Sequence, residues 1–262
     1  MCRLLGIIAS EPTEFRLVLR DVPRSLAALS REHPDGWGLA VYDEAVDWRL
    51  HKGVACATED EHFHRHAAGS RGNILISHVR RKTVGPTSLD NTHPFESSGW
   101  VFAHNGTITD TAYLREQASV ARSQAMRGET DSELFFAYLL SRFDRAGATK
   151  ASEVTDGIVR EVVHDAWTRP NFGAFNFLLS DGHVTYAHRF GRGLFLLERG
   201  PHDEVRGALA SKDGSVVETP WSQRRRAVFI ASEKMTDEPW IEIEDRTLLR
   251  VDRSPIPVWR RL

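Results

Sequence analysis

Met1-Cys2-Arg3-Leu4-Leu5-Gly6-Ile7-Ile8-Ala9 opens the chain. From Leu4 to Ala9 the run is apolar, and Ser10-Glu11-Pro12 ends it at once. So short an apolar segment bounded by breakers reads as a buried strand. It is shorter than the apolar region of a signal peptide, and residue 2 is Cys, not the Gly that myristoylation needs. Cys2 therefore sits at the free start of a core strand.

Outward from that strand, helical patterns are expected from Thr13 to about Leu19 and from Ser25 to Arg31, interrupted at Pro23. His33-Pro34-Asp35-Gly36 is turn chemistry, and Trp37 to Tyr42 is the next strand. Thr58 and Glu61 have capping-box spacing and predict a helix over Glu59 to Ala68. Ile74 to His78 reads as a strand, and the aperiodic stretch from Lys82 to Ser98 as a surface loop. Asn105-Gly106, flanked by Trp100 to Ala103 and by Thr107-Ile108, is a strong hairpin signal. Thr130 with Glu133 marks a second capping box, opening a helix to about Asp144, and another helix is expected from Ala151 to about Trp167. Later strands are expected at Phe175 to Leu179, Val184 to His188, Gly193 to Leu197, Val228 to Ala231 and Thr247 to Val251. Helices inserted between groups of strands suggest two sheets covered by helices, not a doubly wound parallel sheet. With 262 residues and no repeat or linker, one domain over residues 2–262 is expected.

The charge balance narrows the partners. Thirty-four Lys and Arg stand against 36 Asp and Glu, so there is no basic field to recruit nucleic acid or an anionic membrane. The run Arg224-Arg225-Arg226 reads as a solvated strand flank. No stretch approaches the roughly 20 apolar residues of a membrane span. Two cysteines make no disulfide framework or CxxC site, and a cytoplasmic address fits best. His62, His64 and His66 alternate, but only His62 and His66 would share a helix face and no third ligand is nearby, so no metal is expected. No other cofactor is expected either. Serine-elbow and phosphate-loop motifs are absent. Cys56 reads as a packing residue.

Loss of Met1 would leave Cys2 with both a thiol and a free α-amine. The amine, with an ordinary pKa of about 7.7 to 8.0, can take the thiol proton near neutrality, so one residue can supply nucleophile and base. Taken singly, the polar residues downstream have ordinary readings: Asn105-Gly106 as a turn, Asp131 as a first-turn helix charge, Arg80 as a strand-end cation. Taken in order they form a set. Cys2-Arg3-Leu4-Leu5-Gly6, His78-Val79-Arg80, Asn91-Thr92-His93-Pro94-Phe95, His104-Asn105-Gly106 and Glu129-Thr130-Asp131 resemble the motifs of the class II glutamine amidotransferases, whose domain is of the N-terminal nucleophile hydrolase type. Asp35-Gly36-Trp37-Gly38, the segment Phe175 to Gly182 and Ala231-Ser232-Glu233 extend the resemblance, to small standalone members, over nearly the whole chain.

The resemblance implies an α+β, four-layer αββα sandwich. It implies Cys2 as nucleophile, with the Asn105 side chain and the Gly106 N–H as oxyanion donors. Arg80 would grip the substrate α-carboxylate and Asp131 its α-ammonium, roles that suit a planar fork and an opposite charge. Thr83 would shape the carboxylate loop, and His93 would structure it. Arg81 and Val84 stand where larger relatives often carry Trp and His, so the γ-glutamyl substrate is left open. The expected activity is hydrolysis of glutamine or a related γ-glutamyl amide through a Cys2 thioester. Two alternatives stay open: an ammonia-supplying subunit of a separate synthetase, and an amino-acid-binding protein without chemistry.

Overall fold

A computed structural model describes residues 2–200, 209–210, 216–217 and 225–262. Met1 and Arg224 lie outside the described residues.

In chain order the strands are β1 (Arg3–Glu14), β2 (Trp37–Asp43), β3 (Asp47–Gly53), β4 (Arg71–Val79), β5 (Phe95–Ser97), β6 (Trp100–Ile108), β7 (Gly173–Ser180), β8 (Val184–Arg189), β9 (Phe195–Arg199), β10 (Leu209–Ala210), β11 (Val216–Val217), β12 (Ala227–Ala231), β13 (Ile241–Glu242), β14 (Thr247–Asp252) and β15 (Val258–Arg261). The helices are α1 (Leu26–Leu29), α2 (Glu61–Gly69), α3 (Thr111–Gln117), α4 (Val120–Gln124), α5 (Asp131–Arg145) and α6 (Asp156–Thr168). A seven-stranded antiparallel sheet runs β13-β9-β12-β1-β4-β2-β3, and a six-stranded one runs β15-β14-β8-β7-β6-β5.

Alternation along β1 explains why its apolar run is unbroken. Successive side chains point to opposite faces of a sheet. Leu4 and Ile8 face the second sheet, packing in one cluster with Val101, Leu178 and Leu249. Leu5, Ile7 and Ala9 face outward under Leu19, Leu26 and Phe63 from the helical segments. A third cluster lays Leu134, Phe135, Tyr138 and Val162 of α5 and α6 over Phe102, Phe177 and Tyr186 of the second sheet. The result is a four-layer αββα sandwich, as the resemblance implies. Each large side chain buried in these layers contributes roughly 1.5 to 3 kcal/mol.

Several local expectations are corrected. β1 continues through Pro12 to Glu14, shifting register between Ile8 and Thr13, so the helical segment begins only at a π-helical turn, Leu17–Asp21. α2 is capped by Asp60, not Thr58. Asp60 Oδ1 accepts from His62 N–H at 2.8 Å, and Oδ2 accepts from the Trp37 indole at 2.7 Å, tying the helix to β2. The Thr58 hydroxyl donates to the Ala27 carbonyl instead. Thr130 does cap α5, accepting from Glu133 N–H at 3.1 Å, but the Glu133 carboxylate turns to the N–H groups of Arg127 and Gly128.

Asn105-Gly106 is the largest departure. β6 runs unbroken through it, pairing Asn105 with Asn176 and Gly106 with Phe175 of β7. Glycine is required by proximity: a Cβ on Gly106 would lie 1.9 Å from the Ala174 carbonyl oxygen.

Candidate active site

Cys2 immediately precedes β1, and the far end of the chain fixes it. Leu4 N–H donates to Ser232 Oγ at 3.0 Å, Ser232 N–H donates to Leu4 O at 2.9 Å, and Arg3 pairs with Glu233. The half-buried Cys2 Sγ accepts from Arg81 N–H at 3.3 Å and lies 3.4 Å from the Arg81 carbonyl. Burial pushes the thiol pKa up; the Arg81 N–H and the Arg80 charge oppose this, while Asp131 adds to it. The thiol is therefore neutral at rest and needs a base to become a nucleophile.

Arg80 follows β4 directly. Its N–H donates to Gly36 O at 2.8 Å, and its carbonyl accepts from Asp35 N–H at 3.0 Å. Asp35 also accepts from Lys82 N–H at 2.8 Å, so the Asp35-Gly36 turn brackets the arginine. Gly38, two residues on, lets β2 pass beneath the next loop, since a Cβ there would be 1.9 Å from the His93 carbonyl. The guanidinium is buried and donates to the carbonyls of Val84 at 2.8 Å and Pro86 at 3.1 Å. Asn91 and Thr92 hold that loop: Asn91 Nδ2 donates to Pro86 O at 3.0 Å, and the Thr92 hydroxyl to Ser88 O at 2.7 Å.

Asp131 is the first residue of α5, with Oδ2 accepting from Ile108 N–H at 2.7 Å, which joins the helix to the end of β6. Cys2, Arg80, Thr83, His93, Gly106 and Asp131 line one cleft, whose free volume of about 20 Å³ holds little more than one water. Asn105 adjoins it on β6 without being a lining residue, and its buried side-chain amide makes no hydrogen bond among the described residues.

His93 is buried, packs 4.3 Å from the His78 ring and 4.6 Å from Phe95, and has no hydrogen-bond partner on either ring nitrogen among the described residues. Burial, then the neighbouring His78 and His104, drive its pKa well below the ordinary range, so the ring is neutral. Two further lining residues, His104 and Ser132, are not among the site residues expected from the sequence, although His104 belongs to a motif segment and Ser132 directly follows one. His104 Nε2 can only donate to the Ala174 carbonyl at 3.2 Å, so Nδ1 accepts from the Ser132 hydroxyl at 2.8 Å. The Arg81 contact to sulfur is made by main chain and leaves no side-chain signal in a sequence.

Among the described residues no group of three or more His, Cys, Asp or Glu is placed to hold a metal ion, and no helix is long and apolar enough to cross a membrane. His66 stacks on His51 with centroids 3.7 Å apart. What the cleft can do chemically follows from its parts: a thiol, a backbone N–H beside an amide, and one cation and one anion apart from each other.

The family model of class-II glutamine amidotransferases matches residues 1–257. An uncharacterised protein of Methanocaldococcus jannaschii is 30% identical over 262 residues, covering 95% of this chain and 68% of that one. Among solved structures, a predicted glutamine amidotransferase from Pseudomonas aeruginosa superposes with a TM-score of 0.66 at 25% identity, covering 97% of this chain and 98% of that one. The glutamine phosphoribosylpyrophosphate amidotransferase of B. subtilis shares the fold with a TM-score of 0.64 at 19% identity, over 99% of this chain and 49% of that one.

Proposed function

The chain belongs to the class-II glutamine amidotransferases, and from that premise we propose that it is a glutaminase-type amidohydrolase acting on glutamine or a related γ-glutamyl amide. The observation that carries this reading is the single cleft on which Cys2, Arg80, Gly106 and Asp131 converge.

Met1 is removed, and the freed α-amine of Cys2 takes the thiol proton. The thiolate adds to the γ-amide carbon, and the negative oxygen that forms is met by the Gly106 N–H and the Asn105 side-chain amide. Such donors contribute about 3 to 4 kcal/mol each to lowering a barrier. The C–N bond breaks, the leaving nitrogen takes the proton held by the Cys2 α-ammonium, and ammonia or an amine departs. Water then hydrolyses the γ-glutamyl thioester and regenerates the thiol. Arg80 holds the α-carboxylate and Asp131 the α-ammonium. Thr83 shapes the carboxylate loop, and neutral His93 supports it by packing. The substrate carboxylate would compete with the Val84 and Pro86 carbonyls for the arginine.

The absence of a wide basic surplus and the two free cysteines support a cytoplasmic protein acting on a small molecule, with neither nucleic acid nor membrane as partner. A second reading is an ammonia-supplying subunit for a separate synthetase, motivated by the fold shared with the phosphoribosylpyrophosphate amidotransferase of B. subtilis. The test is intact mass before and after a diazoketone analogue of glutamine, alongside ammonia release from glutamine. Loss of Met1 with one adduct on Cys2, and release by the isolated protein, is expected. Adduct without turnover, restored by a synthetase, selects the second reading. Retained Met1 with no adduct overturns both.

A further inference from the structure

A cavity of about 670 Å³ lies behind the wall formed by the residue 83–97 loop and the start of α5. His93 lines the Cys2 cleft on one side of that wall and Phe95 lines the cavity on the other. The buried side chains of Phe95, Phe136 and Leu140 give the cavity an apolar floor.

Four of its six charged lining residues make no ion pair or side-chain hydrogen bond among the described residues. Lys52, half-buried, holds its ammonium 5.2 Å from the centre of the Phe95 ring and makes no hydrogen bond or ion pair among the described residues. Burial lowers its pKa to about 8 against the opposing pull of Glu133 and Asp90, which leaves it mostly charged at neutral pH. Arg127, Asp90 and Glu96, all exposed at the rim, likewise have no ion pair among the described residues. The other two charged lining groups are engaged: Arg122 with Asp144, and Glu133 with two backbone N–H groups.

We propose that this cavity is a second binding site, for an amphipathic zwitterion such as an apolar amino acid or a short peptide, with its carboxylate on Lys52, its ammonium toward Asp90 and Glu96, and its side chain on Phe95 and Phe136. Two free charges of each sign over an apolar floor match a ligand carrying both charges and a hydrophobic body. A purely anionic or cationic ligand would leave two like charges facing it.

The test is calorimetric titration of the full chain with L-phenylalanine, 3-phenylpropanoate and phenethylamine. L-Phenylalanine is expected to bind saturably and more tightly than either single-charge analogue. Lys52→Met should raise its dissociation constant tenfold or more, and Ala137→Trp, which fills the cavity, should abolish binding. Arg80→Lys, which weakens the amino-acid cleft but keeps a cation against the Val84 and Pro86 carbonyls, should leave it within twofold. The inference is overturned if L-phenylalanine shows no saturable binding at millimolar concentration, or if Arg80→Lys weakens binding tenfold while Lys52→Met does not. Should Ala137→Trp fail to fold, the Lys52 and Arg80 variants still decide. The proposal does not rest on turnover at Cys2, so a protein without glutaminase activity can still pass or fail it.

Discussion

Arg80 donates to the Val84 carbonyl at 2.8 Å, so the cation assigned to a substrate carboxylate is held, in the free protein, by the loop that covers it. A carboxylate offers two parallel acceptors with full charge, a stronger partner for a guanidinium than two neutral carbonyls. The exchange favours substrate while keeping the buried arginine satisfied when none is bound.

Arg80→Lys replaces that planar fork by a point charge. KM for glutamine should rise about tenfold or more, roughly 1.4 kcal/mol or above, with kcat little changed. Steady-state kinetics check this, and an unaltered KM removes Arg80 from the carboxylate site.

Cys2→Ala should reduce γ-amide hydrolysis by on the order of 1,000-fold or more with the fold retained. Cys56→Ala, which removes a sulfur bonded to Ser30 away from the cleft, should stay close to the parent rate. Ammonia release and circular dichroism of both variants decide, and full turnover by Cys2→Ala removes the thiol mechanism.

Gly106→Ala puts a methyl group against the Ala174 carbonyl, and the strands β6 and β7 must part to admit it. A loss of roughly 1 to 3 kcal/mol of stability is expected, with activity falling further as the donor at residue 106 shifts. Denaturant titration and kinetics together test it; unchanged stability would mean that the sheet relaxes there.

Acid should destabilise the protein before its carboxylates titrate. Burial holds His78 at about 3 and His188 at about 4, both from an ordinary 6.5. Their folded pKa values lie below the unfolded one, so the unfolded chain binds more protons as pH falls below 6.5. The stability they contribute is complete above that pH and is lost on the way down toward the folded values. Each should contribute a slope of up to about 1.4 kcal/mol per pH unit in that window. Urea unfolding at pH 7, 6 and 5 measures it, and a flat profile would show that these rings protonate without cost.

Particular residues show how far the sequence could be read. Leu4 to Ala9 is legible as a buried strand because burial on both faces leaves no polar positions. β3 was missed because it is an edge strand with Arg49 exposed and Trp48 and Leu50 only half covered, so its alternation is weak. Asn105-Gly106 misled because a glycine needed for close strand approach is written the same way as one needed for a turn. Cys2, Arg80 and Asp131 stood out through ordered motifs. The Arg81 main chain at the sulfur and the unpaired Lys52 did not, since each depends on what the fold brings near.

Ser232 meets Leu4 across 228 residues of sequence. On the ribosome, the first strand emerges with its β12 neighbour still unmade, and a chain stopped short of residue 227 can never pair it. β4 can align the strand behind Cys2 early, but its second neighbour arrives only with the last strands of the sheet. Truncated products would carry the Cys2 thiol at the end of a strand that lacks one of its two sheet neighbours.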